Sequence, residues 1–393
     1  MSVTYPRGFR AAGVTAGLKA SGRPDLGLLV ADHGAATAGA FTTNSFPAAP
    51  VILSRAHLAS GRVTAVVVNS GQANAGTGPE GLEDARTMAR LAGLTLACDP
   101  TEVLVCSTGV IGPRVPVDRI ETGLPSAAGL LDPAGGTAFA ESILTTDRGP
   151  KEATADAGPY RVGGCAKGAG MIAPRLAPLG TLLAFITTDA PATAQALKEI
   201  VAERVVPGWN GMVVDGCQST NDTVLLLATG AAGGEPLGSE DPGLEDLAEA
   251  IEDVTTALVR RTAAEAEGAS TTLVVQVEGA ATAEEARDMG LAVAGSPLVK
   301  TALFGADPNA GRILQAVGDA GVELDPAALD VRLDGVPLIA SGQVLEPSDT
   351  VAAAMKEPEV VLTVSVGSGR GSATVFGCDL GYEYVRINAE YRT

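Results

Sequence analysis

Residues 167–189, KGAGMIAPRLAPLGTLLAFITTD, pass from Gly- and Pro-rich chain into a short apolar run at 182–187. That change predicts a strand beginning at the Gly180-Thr181 join. The period then alters over 190–206, where Leu197, Ile200, Val201 and Val205 share a helical face behind an Asp189 N-cap, with Pro207-Gly208 as the stop. Strand followed by helix recurs outward in both directions. Residues 63–69, 103–106, 223–228, 272–277, 360–364 and 374–376 read as further strands, and 79–92, ended by Gly93, and 241–267 as helices. Interleaving along the whole length, with no low-complexity linker and no fixed-period repeat, predicts an α/β protein.

Hydrophobic residues make up 46% of the 393 positions but aromatics only 3%, so Gly, Ala and aliphatic side chains must fill the core and let backbones approach closely. A layered α/β sandwich suits that composition. The net charge of −19, with no block of Lys and Arg, repels nucleic acid. Acidic residues gather in 233–289, the pattern of a solvated helical face. Five cysteines, odd in number and without a C-x-x-C pair, argue against a disulfide framework or a zinc site and for a reducing cytoplasm. The start, MSVTYPR, carries no apolar signal region, and no apolar run is long enough to span a bilayer.

Catalytic equipment is sparse. The two histidines, His33 and His57, lie far in sequence from any nucleophile elbow and are read as surface or structural. Cys106 in VLVCSTG reads as a small buried hydrophobe, and no phosphate loop or dinucleotide fingerprint is present. The Gly180-Thr181 join has two readings. One is a plain strand start. The other is a peptide that cuts itself: the Thr181 hydroxyl attacks the Gly180 carbonyl, and water releases a new N-terminal Thr181. Its α-amine, with a reference pKa of about 7.7–8.0, would serve as the local base, so no histidine would be needed.

The run CAKGAGMIAP…TLLAFITTDA (165–190) resembles the self-processing segment of the ornithine acetyltransferase (glutamate N-acetyltransferase) family. The resemblance continues through VVVNSGQANAGTG (66–78), VLVCSTGVIG (103–112), ILTTD (143–147), STNDTVLLLATGAAG (219–233), SPLVKTALFGADPNAGRI (296–313) and GCDLGYEYVRINAEYRT (377–393). It therefore covers nearly the whole chain in order. What it implies is acetyl transfer from N-acetylornithine to glutamate by a ping-pong route, without metal or coenzyme. It also implies cleavage into an α chain, 1–180, and a β chain, 181–393, which interleave in one unit and assemble as α2β2 or higher. The fold implied is the layered α/β sandwich shared with the N-terminal-nucleophile aminopeptidases.

Carried over residue by residue, the resemblance makes Thr181 the nucleophile and Thr108 with Gly109 the oxyanion donors. Lys167 matches a substrate-binding lysine suited to a carboxylate, and Glu267 the acid near the substrate's amino group. Asn388 and Thr393 match a C-terminal segment lining the site. Thr145 or Thr146 matches a further substrate contact. Asn221 and Asp222 read as turn residues bonding local backbone.

Three positions depart from the family pattern. The lysine-to-nucleophile interval, 181 − 167 = 14 residues, is lengthened by residues 177–180; Gly180 replaces the usual alanine; and Ala310 stands where an aromatic is common. An amidohydrolase or aminopeptidase using the same Thr181, a related acyl transfer in a specialised pathway of ornithine or arginine derivatives, and an uncut scaffolding protein are the competing expectations.

Overall fold

The computed structural model describes residues 2–59, 61–177, 182–346 and 348–390. Gly180, Thr181 and Thr393 lie outside the described residues. Nine strands form one mixed sheet: β1 (Phe9–Val14), β2 (Leu26–Thr42), β3 (Arg62–Gln72), β4 (Val103–Val110), β5 (Lys151–Ala157), β6 (Tyr160–Lys167), β7 (Leu176–Ala177), β8 (Leu183–Thr188) and β9 (Thr223–Ala228). Their order is β4-β3-β2-β9-β8-β6-β5, with β1 and β7 also on β2. A second sheet, ordered β13-β12-β11-β14-β10-β15, comprises β10 (Thr272–Ala280), β11 (Asp330–Leu333), β12 (Val336–Ala340), β13 (Gln343–Val344), β14 (Glu359–Ser365) and β15 (Gly371–Cys378).

Period-two alternation explains the layering. In β3 and β4, Val66, Val68, Leu104 and Cys106 enter a central core, while Ala65, Val67, Val103 and Val105 face the helices Ala49–Leu58, Gly78–Leu96 and Val117–Gly129. In β8 and β9, Leu183, Phe185, Leu225 and Leu227 enter that same central core. Ala184, Ile186, Val224 and Leu226 instead meet the helices Ala194–Ile200 and Gly243–Ala264. The 17-residue β2 links the halves: its first part pairs with β3 and its last part with β9, with a register shift between Val30 and Ala35. The result is helix, sheet, sheet, helix, the expected layered α/β sandwich. The second sheet packs with Ala283–Gly295 and the two following helices around a separate core.

Two expected boundaries are corrected. Gly93 does not end its helix, which runs to Leu96 and stops at Ala97 in the left-handed region, φ 55°. Gly93 is instead packed where a Cβ would meet Cys98 and Pro100, so it serves a close approach. Asp189 is not an N-cap either. It is buried, accepts from the backbone N–H of Arg161 at 2.8 Å and pairs with Arg7, while Thr193 caps the helix that begins at Ala194. That helical stretch passes Pro207-Gly208 and ends at Gly211, through a π-helical turn at Val201–Val205.

Among the described residues, no helix is long and apolar enough to cross a membrane. The acidic stretch does form helices with exposed charges, and Glu245 and Glu252 of Gly243–Ala264 pair with Arg204.

Candidate active site

The ends of four strands converge on a cavity of about 280 Å³. Thr108 and Gly109 come from β4, Lys167 from β6, Leu183 from the start of β8, and Asn221 and Asp222 from the turn into β9. Glu267 follows the long helix, Asn388 comes from the C-terminal helix Tyr382–Glu390, and both Thr145 and Thr146 line the wall. The structure thus assembles every described candidate named from the sequence. Thr181, outside the described residues, immediately precedes Leu182 in sequence, itself a lining residue.

Gly109 is a glycine for a steric reason. It pairs with Gly71 across the parallel β3–β4 ladder, its φ is 123°, and a Cβ there would lie 2.4 Å from the Gly71 carbonyl carbon. Removing both side chains lets the two strand ends touch and leaves the Gly109 backbone facing the cavity. Beside it, the Thr108 hydroxyl accepts a hydrogen bond from Lys167 Nζ at 3.2 Å.

Lys167 is buried, and burial pushes its ammonium below the ordinary lysine range. Asp147, Glu267 and Asp222 act in the opposite sense, favouring the charge, while Lys151 opposes it. Asp147 is a residue the sequence reading passed over. It accepts from Lys151 Nζ and from Gly168 N–H, each at 2.7 Å, and from Thr145 N–H at 3.1 Å. Burial alone would raise this carboxyl, but Lys167, Lys151 and those hydrogen bonds hold it well below the usual carboxylate range. The only sequence signal was its place after two threonines in TTD.

Glu267 rests against Gly170, where a Cβ would meet its Oε2 at 2.4 Å, and accepts from Asn388 Nδ2 at 2.9 Å. The C-terminal helix is tied down as well. Tyr384 donates to Asp215 Oδ2 at 3.2 Å, and Asp215 also accepts from the N–H groups of Met171 and Ile172. One carboxylate therefore joins the loop leaving β6 to the chain's last helix.

The turn reading of Asn221 is corrected: its Nδ2 donates across the sandwich to the carbonyls of Ala73 and Ser107, fixing β9's approach to the end of β4. Asp222, buried, faces the cavity rather than solvent. Neither histidine lines it. His33 is exposed, and His57 Nδ1 lies 2.8 Å from the Val103 carbonyl. Burial pushes the Cys106 thiol up to about 12, which suits the hydrophobe the sequence reading expected. Among the described residues, no group of three or more His, Cys, Asp or Glu is placed to hold a metal ion.

Both acidic and basic side chains, Asp222, Glu267 and Lys167, line the cavity. The family model for the ArgJ family matches residues 10–393. An arginine biosynthesis bifunctional protein of Thermus thermophilus is 46% identical over 394 residues, covering 100% of both chains. Its counterpart in Symbiobacterium thermophilum is 43% identical, covering 100% of this chain and 98% of that protein. Among solved structures, an ornithine acetyltransferase from Mycobacterium tuberculosis, complexed with ornithine, is 42% identical with a TM-score of 0.42, covering 45% of this chain and 96% of that one.

Proposed function

Because the chain belongs to the ArgJ family, we propose that it transfers an acetyl group from N-acetylornithine to glutamate through an acetyl ester on Thr181. The observation that carries this reading is the convergence of Thr108, Gly109, Lys167 and Glu267 beside Leu182, the residue that follows Thr181.

The enzyme first cuts itself at Gly180-Thr181, leaving α (1–180) and β (181–393) chains interleaved through the shared sheet. Thr181 Oγ then attacks the acetyl carbonyl as its α-amine takes the hydroxyl proton. The tetrahedral oxyanion is held by the Thr108 hydroxyl and the Gly109 N–H. The C–N bond breaks as the α-ammonium of Thr181 hands that proton to the leaving nitrogen, and ornithine departs. Glutamate's amine attacks the ester in the reverse sense, restoring the Thr181 hydroxyl and releasing N-acetylglutamate. Lys167 attracts the amino acid's carboxylate and Glu267 an amino group. Asn388, Thr393 and one of Thr145 and Thr146 complete the pocket. The αβ units assemble as α2β2 or higher and work in the cytoplasm without a coenzyme.

Intact-mass measurement after mixing with N-acetylornithine tests this. Two chains with one acetyl group on the C-terminal chain are expected; an uncut chain, or a cut one that never gains the acetyl group, refutes it.

A further inference from the structure

Thr108 has one hydrogen to donate, and the direction in which it points decides whether it can hold an oxyanion. Its Oγ1 accepts from Lys167 Nζ at 3.2 Å and makes no other hydrogen bond among the described residues. An ammonium has donors only, so while Lys167 is charged Thr108 must present a lone pair to it, leaving its own hydrogen for the cavity. A neutral amine carries a lone pair and can draw that hydrogen away.

We infer that Lys167 sets the direction of the Thr108 hydroxyl, and that Asp147 is the positioning residue that keeps Lys167 a donor. The inference rests on the acetyl-transfer reading and deepens it: Lys167 becomes part of the oxyanion machinery as well as a counter-charge for substrate.

The surroundings make the lysine's charge conditional. Burial and Lys151, on β5, favour the neutral amine. Asp147, in the loop before β5, Glu267, beyond the long helix, and Asp222, ahead of β9, favour the ammonium. Lys19, in the turn between β1 and β2, adds a weaker repulsion from farther off, and its own ammonium is lowered to about 8 by burial. Of these anions Asp147 acts most strongly on Lys167, and it is firmly built in. It is buried, bonded to Lys151, and anchored on the N–H of Gly168, the residue next to Lys167. Lys167, Lys151 and its hydrogen bonds hold its carboxyl well below the usual carboxylate range, so it faces Lys167 as an anion at neutral pH.

The test is the single-turnover rate of acetyl-enzyme formation from saturating N-acetylornithine, measured against pH for the cleaved wild type and for Thr108→Val. Titration of the substrate's own amine cancels in the ratio of the two rates. At neutral pH the ratio should be about 10²–10³, the size of one lost oxyanion donor. It should collapse toward one as Lys167 loses its proton, and Asp147→Asn should move that collapse to lower pH. A ratio that stays constant across the alkaline range overturns the inference, as does a folded, cleaved Asp147→Asn enzyme whose collapse has not moved. Should Asp147→Asn not accumulate as folded protein, the wild-type to Thr108→Val ratio decides alone. Failure to form any acetyl ester on Thr181 refutes the transferase reading, whereas an ester that forms with a pH-independent ratio refutes only the role of Lys167.

Discussion

Lys167, the last residue of β6, is the register partner of Leu183, the first residue of β8. That pairing sets the start of β8 beside the end of β6, so Leu182 and Leu183 line the same cavity as Lys167 and Thr108.

Thr181→Ala should remain a single full-length chain on a denaturing gel and transfer no acetyl group. Splitting of that variant into two chains would refute intramolecular attack by Thr181.

Thr108→Ala should lower turnover by about 10²–10³, roughly 2.7–4 kcal/mol of transition-state stabilisation, with thermal stability little changed. Gly109→Ala should behave differently. Its Cβ would strike Gly71 at 2.4 Å in a φ of 123°, so it should lose stability together with activity. Equal melting temperatures for Gly109→Ala and wild type would contradict the steric account.

Tyr384→Phe removes the hydroxyl that ties the C-terminal helix to Asp215, a part-exposed bond worth about 1 kcal/mol. Because that helix also carries Asn388 onto Glu267, KM for the amino-acid substrates should rise with kcat nearly kept. A change confined to kcat would place Tyr384 elsewhere in the mechanism.

Asp147 should make stability depend on pH in a defined direction. Its folded carboxyl lies below its unfolded value of about 3.9, so its contribution is complete above that value and is lost as pH falls through the folded one. Denaturant unfolding of wild type and Asp147→Asn should therefore differ most at neutral pH and converge in strong acid. A difference that persists undiminished below the folded value would contradict the linkage.

If the α-amine of Thr181 is the base, activity should rise with pH through that amine's ionisation. The reference pKa of such an amine is about 7.7–8.0. His33→Gln/His57→Gln should leave this acidic limb in place, since neither histidine lines the cavity. Displacement of the limb with the fold preserved would return the base role to a histidine.

The legible strands β3, β4, β8 and β9 are runs buried almost throughout, and β10, β14 and β15 were marked by their β-branched residues. Strands β1, β2, β5 to β7 and β11 to β13 were not found. They are short, Gly-bearing or half-exposed, and their stability comes from neighbours rather than from their own sequence. Gly93 and Asp189 misled because each serves another contact: Gly93 packs closely under Cys98 and Pro100, and Asp189 bonds Arg161 and Arg7.

The sequence by itself determined the α/β alternation and the small-residue core, which follow from local period and residue type that a linear reading preserves, while the site candidates came from the resemblance carried by motifs spread along the chain. Only the tertiary structure decided that Asp147 stands behind Lys167, that Asp215 joins the β6 exit to the last helix, and that Lys167 bonds Thr108. Thr108 and Lys167 are 59 positions apart in the chain, and Asp215 and Tyr384 169 apart. No local pattern encodes such pairings, because they arise where sheet register and the crossing of two packed layers bring separate strand ends to one point.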